Sequence, residues 1–120
     1  MFTLSTTHKF YLYTEFTDMR KSFDGLSGLI QDFTTTLPKG SSVFVFINKR
    51  RDKVKLLHWS GSGYMLYYKR LEAGTFESPN HYKVINGMIR LSYTQIVMLI
   101  DGISILNIKK RKRYSAEVKS

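Results

Sequence analysis

KVKLLHWSGSGYMLYYKR, residues 53–70, decides the fold. On either side of SGSG, residues 60–63, side chains alternate in character with the period of two that marks a strand. With Gly61 and Ser62 as the two loop residues, a glycine stands first, as a type II′ hairpin turn requires. Trp59 then faces Tyr64, Leu57 faces Leu66 and Lys55 faces Tyr68. Lys53, Lys55, Leu57, Trp59, Tyr64, Leu66, Tyr68 and Arg70 share one face. Val54, Leu56, His58, Met65, Tyr67 and Lys69 share the other. A longer loop changes the pairs but not this alternation.

Working outward, NKRRD, 48–52, is a polar turn, and Val43 to Ile47 is a continuous apolar strand suited to burial on both faces. TTTLPKGSS, 34–42, is a loop. Before it, Met19, Phe23, Leu26, Ile30 and Phe33 recur at helical spacing, which predicts an amphipathic helix capped by Thr17 or Asp18. Gly25 and Gly28 each cost such a helix up to about 1 kcal/mol relative to Ala; close packing of the helix on a sheet would explain their presence, and so would simple tolerance. Residues 8–14 read as the first strand and Met88 to Leu91 as a short one, with an irregular connection over 76–86. Ser92 and Gln95 form a capping box stapled by Leu91 and Ile96. The second helix runs to about Asp101, where Gly102 is the left-handed stop, and Ile103 to Ile108 is a short apolar coda. These elements predict an α+β fold. Its sheet is small and antiparallel, with about four to five strands, a central hairpin and two helices in a single domain over 1–108. Residues 109–120 form a basic, flexible tail.

The length of 120 residues suits one domain. No cysteine is present, which excludes disulfides, a thiolate nucleophile and cysteine-ligated zinc. No apolar run approaches the ~18 residues of a membrane span. MFTLSTTHKF lacks the apolar stretch of a signal peptide, so the expected location is cytoplasmic. Charge is the strongest compositional signal: 19 Lys and Arg against 9 Asp and Glu, a formal +10. Such a balance points to a polyanion, nucleic acid first and a membrane surface second. The tail offers no apolar face for a membrane.

Three basic clusters are candidates for phosphate contacts. Lys49, Arg50, Arg51, Lys53 and Lys55 lie close together, with Trp59, Tyr68 and Arg70 on the same strand face and Lys69 beside them. Cations with aromatic planes suit single strands, and cations alone suit duplex backbone. The plain alternative is a core of aromatics and a decorated edge. Arg20 and Lys21, at the expected helix start, are disfavoured by the helix dipole unless a phosphate binds there. Solvated side chains are the alternative. Lys109, Lys110, Arg111, Lys112 and Arg113 would engage phosphates without reading sequence, or merely solubilise. No catalytic, metal or cofactor constellation stands out. Histidines 8, 58 and 81 are isolated, Asp18, Asp24 and Asp32 do not share a helical face, and no Walker loop or Gly-x-Ser-x-Gly elbow occurs.

The order TDMRKSFDGLSGLI (17–30), VFVFINKRRDKVKLLHWSGSGYMLYYKRLEAGTF (43–76) and LSYTQIVMLIDGI (91–103) resembles the small accessory protein of bacterial insertion sequences of the number-66 group. That family is often labelled TnpB or second open reading frame, and is distinct from the RNA-guided nuclease sharing the label. The resemblance spans roughly residues 8–105. It implies a protein encoded beside a separate acidic-triad transposase, assisting transposition, with no established enzymatic activity. Asp18, Arg20, Lys21, Asp24, Gly25, Arg50, Arg51, Asp52, Lys55, Trp59, Gly63, Tyr68, Lys69 and Arg70 match as motif positions. Ser60 stands where relatives carry Asp, Tyr64 and Met65 where an aromatic pair is common, and the tail lies outside the shared region.

The function expected is thus a non-catalytic accessory factor for insertion-sequence DNA transposition, with DNA and the element's transposase as partners. The alternative is a protein–protein adaptor without direct DNA contact.

Overall fold

The computed structural model describes residues 5–34, 37, 39–77, 84 and 87–101. A five-stranded sheet is flanked by two helices. The strands are β1 (Lys9–Tyr13), β2 (Ser42–Ile47), β3 (Lys53–Trp59), β4 (Tyr64–Arg70) and β5 (Met88–Leu91). Helix α1 spans Phe23–Leu29 and α2 spans Tyr93–Asp101. The order across the sheet is β4-β3-β2-β1-β5. The α+β expectation holds.

The hairpin forms in the register read from the alternation. Trp59 pairs with Tyr64, Leu57 with Leu66 and Lys55 with Tyr68. The Ser60 N–H donates to the Gly63 carbonyl at 2.8 Å, which leaves Gly61 and Ser62 at the tip. Gly61 has φ +99°, a value that only glycine takes without strain. The hairpin is central in the chain but lies at one side of the sheet, with β4 as the outer strand.

The sheet is mixed rather than wholly antiparallel. β1 runs parallel to β2, while β1–β5, β2–β3 and β3–β4 are antiparallel. A parallel pair needs a long crossover, and the segment carrying α1 supplies it. β2 lies at the middle of the sheet and all six of its residues are buried. That is why its sequence is continuously apolar.

Two cores follow from the alternation. Phe44, Phe46, Leu57 and Met88 pack with Leu26 and Ile30 on the α1 face. Val43, Val45, Ile47, Val54 and Leu56 pack on the other face with Ile96, Leu99 and Ile100 of α2. Leu71 and Phe76 close that side.

Helix α1 is shorter than the apolar stripe. Neither Thr17 nor Asp18 caps it. Ser22 holds the N-cap position without a side-chain hydrogen bond. Instead Asp18 accepts the Arg20 N–H at 2.9 Å and builds a turn, a common use of a short carboxylate. Arg20 and Lys21 therefore precede the helix, and the dipole argument for them lapses. Residues 30–34 continue as turns, with the Thr34 N–H bonded to the Ile30 carbonyl, so Ile30 and Phe33 still reach the core. The Gly25 constraint comes from Lys21, whose Cβ lies 3.1 Å from where an added Cβ would sit. Gly28 has open space. At α2 the capping box is present: the Gln95 N–H donates to Ser92 Oγ at 3.1 Å, and the Ser92 N–H donates to Gln95 Oε1 at 2.9 Å.

Candidate nucleic-acid interface

An open groove of about 640 Å³ lies where three segments meet. Its lining includes Phe16, Asp18 and Arg20 from the irregular segment after β1, Lys49 and Arg50 from the β2–β3 turn, and Lys53 and Tyr68 from the hairpin.

Each wall has a local cause. The turn is organised by Asn48, whose Oδ1 accepts the N–H groups of Asp52 and Lys53 at 3.1 and 3.0 Å. The Asn48 amide donates to Asp52 Oδ1 at 2.7 Å and draws that carboxyl below its ordinary value. Arg51 takes φ 59°, an uncommon conformation for a non-glycine residue, and the chain reverses there. The turn leaves Lys49 and Arg50 exposed. The opposite wall is pinned twice. The Thr17 N–H donates to the Ile47 carbonyl at 2.9 Å, and Thr17 is buried. Further along, the Lys55 ammonium donates to the Met19 and Lys21 carbonyls at 2.8 and 2.7 Å. Lys55 also lies 4.6 Å from the centre of the Tyr68 ring. It is only 5% exposed, and burial pulls its pKa down against the attraction of Asp18.

Arg20 clasps Asp18 with Nε and Nη2, at 3.0 and 2.7 Å from Oδ2. The guanidinium holds the Asp18 carboxyl at about 2, so it stays ionised at any physiological pH. Lys53 lies 3.5 Å from Asp52. The groove therefore carries a cationic excess, with two half-exposed aromatic rings, Phe16 at 49% and Tyr68 at 51%.

The structure gathers Arg20, Lys49, Arg50, Lys53 and Tyr68 of the expected site residues. It disperses the others. Lys55 is buried beneath the groove and engaged with backbone. Arg51 contributes its carbonyl, which accepts the Phe76 N–H at 2.6 Å. Lys21 is exposed, but its carbonyl is the part that holds Lys55. Lys69 lies on the α2 face, its ammonium 3.1 Å from the Ile100 carbonyl near the end of that helix. Arg70 pairs with Glu72 at 2.8 Å. Trp59 sits at the far end of the hairpin, edge-on to Tyr64 with ring centres 5.0 Å apart. Lys109, Lys110, Arg111, Lys112 and Arg113 lie outside the described residues.

Sequence reasoning missed Phe16. Its signal was present: a large aromatic in the polar run Thr14 to Arg20, outside both the strand alternation and the helical stripe. Among the described residues, no three His, Asp or Glu side chains gather as metal ligands. No helix among them is long and apolar enough to cross a membrane.

Comparison with known proteins now bears on the same segments. The family described as "IS66 Orf2 like protein" matches residues 8–110, which includes every groove residue. Uncharacterized protein y4jC of Sinorhizobium fredii (strain NBRC 101917 / NGR234) is 31% identical over 98 residues, covering 82% of this chain and 81% of that protein. Uncharacterized protein y4hO of the same strain is 31% identical over 93 residues, covering 78% of each chain. No solved structure matches. The chain belongs to the IS66 Orf2-like family, and is an insertion-sequence accessory protein.

Proposed function

We propose that this accessory protein binds DNA through the groove, as a non-catalytic factor in transposition, alongside the transposase of the same element. The observation that supports it is convergence. Arg20 and the 49–53 stretch carrying Lys49, Arg50 and Lys53 are separated in sequence yet line one open surface, where Asp18 and Asp52 offset only part of their charge. Cations so placed match a phosphate backbone, and each neutralised phosphate releases condensed counterions. Lys109 to Arg113 would add reach and non-specific affinity. The work would be done in the cytoplasm.

The adaptor reading has one observation in its favour: Phe16 and Tyr68 present apolar area that a protein partner would also bury. A salt titration on duplex DNA separates the two. Four phosphates engaged by the groove give a slope of log K on log salt near −3.6, a loss of about 150-fold between 50 and 200 mM, and the tail steepens this. Lys49→Ala with Arg50→Ala should make the slope shallower by about 1.8. Unchanged affinity and slope in that variant would remove DNA from the groove. Retained transposase binding by Lys49→Glu with Arg50→Glu, with DNA binding lost, favours the DNA reading over the adaptor.

A further inference from the structure

We infer that the groove takes unpaired nucleotides, with one base stacked on Phe16 and another on Tyr68. This rests on the nucleic-acid reading of the groove and specifies its substrate. A duplex keeps its base faces stacked inside and offers a protein phosphates, sugars and groove edges, for which cations suffice. Single strands expose the faces themselves, and their binding sites pair a cationic track with aromatic platforms.

The groove has both parts. Phe16 and Tyr68 are two of only four large hydrophobic side chains exposed among the described residues, and both line it. A half-exposed phenyl ring gains nothing from water. It becomes favourable when a flat apolar surface covers it, as a nucleobase does.

Both platforms stand on backbone that the fold holds in place. Phe16 is next to Thr17, whose buried side chain and N–H bond to the Ile47 carbonyl hold the backbone. Tyr68 lies on β4 against the Lys55 ammonium, which is itself fixed by two carbonyls. Backbone held this way needs little ordering on binding. Trp59, which the strand register offered beside Tyr68 as a stacking residue, is packed edge-on against Tyr64 and is not part of the groove.

The test uses the full chain with labelled oligothymidylate and a duplex of equal length. Phe16→Ala and Tyr68→Ala should each weaken oligothymidylate binding by about 10-fold to 100-fold, leave duplex binding nearly unchanged, and leave both salt slopes unchanged. Tyr68→Phe should retain binding, because the ring stays. Cooperative thermal unfolding of each variant, with a modestly lowered midpoint in Tyr68→Ala from the lost Lys55 contact, confirms that the variants fold. Three other results decide against it. If both alanine variants bind oligothymidylate normally while Lys49→Ala with Arg50→Ala loses affinity, the groove binds phosphates but stacks no bases. Equal losses on both DNAs would also overturn the stacking assignment. If the charge variant loses nothing on either DNA, the nucleic-acid reading of the groove fails, and the aromatic pair belongs to a protein partner.

Discussion

Replacing Lys55 by Met tests whether this lysine touches phosphate or builds the groove. Methionine keeps the length of the side chain and removes the ammonium. In the native protein that ammonium donates to the Met19 and Lys21 carbonyls and lies against the Tyr68 ring. Hydrogen bonds from charged donors contribute about 1.5–3 kcal/mol each. The lower figure applies here, because Met19 is half-buried and Lys21 exposed, so water can reach the vacated carbonyls. The lost contact with the ring adds about 0.5–1 kcal/mol. Against this, Met spares the cost of desolvating a cation, which offsets on the order of 1 kcal/mol or more. The expected net loss is about 2–3 kcal/mol. Urea unfolding reads it directly: with m near 1.5 kcal/mol/M, the midpoint should fall by about 1.3–2 M. DNA affinity should fall as residues 16–20 loosen, while the salt slope stays as it was. A stability change within about 0.5 kcal/mol, together with a slope shallower by about 0.9, would refute the reasoning and return Lys55 to the phosphate contacts.

Two further predictions follow from other parts of the fold. Burial first, and the neighbouring His58 second, lower the His8 pKa from 6.5, so below that pH the unfolded chain binds a proton that the native chain resists. Stability should therefore fall as pH drops from about 6.5 through the lowered native value, and urea midpoints at mildly acid pH should fall less in His8→Phe; equal acid sensitivity in both proteins would refute this assignment. Gly28→Ala should raise the thermal midpoint by a few degrees, about 0.5–1 kcal/mol of helix propensity with open space for the methyl group, whereas Gly25→Ala should gain nothing or lose stability, because its Cβ meets Lys21 Cβ at 3.1 Å; equal gains at both sites would show that Lys21 simply moves aside.

Local signals carried much of the fold. The hairpin register depended on period-two alternation and a glycine at the first turn position, both contained in residues 53–70. The capping box at Ser92 and Gln95 is equally local, and it formed. The parallel pairing of β1 with β2 was not read, although the order strand, amphipathic stripe, strand was there to suggest a crossover. Orientation is a property of the whole connection, and alternation within a strand says nothing about it. The start of α1 was misplaced for a related reason. Asp18 suits a helix cap and a turn alike, and the tether from Lys55, distant in sequence, accompanies the turn.

The groove shows why a count of cations is a poor guide to a charged site. Lys49, Arg50, Lys53 and Lys55 look equivalent along the chain, yet strand alternation and burial give them different work. Lys55 faces the same side of the sheet as Lys53, but the 17–21 segment crosses above it, and its Met19 and Lys21 carbonyls take two of the three ammonium donors. Its charge supports the wall that brings Arg20 and Phe16 opposite Lys49 and Arg50. A lysine suits this position because a long side chain with several donors can reach two carbonyls of one backbone turn and meet an aromatic ring. Its match to the family motif then fits a structural part, while the exposed Lys49 and Arg50 and the half-buried Lys53 are the ones whose removal is expected to change the salt dependence of binding. On this account a Lys55 variant and a Lys49 and Arg50 variant both lose DNA affinity but differ in slope and stability. Measuring all three quantities assigns each residue to the wall or to the ligand.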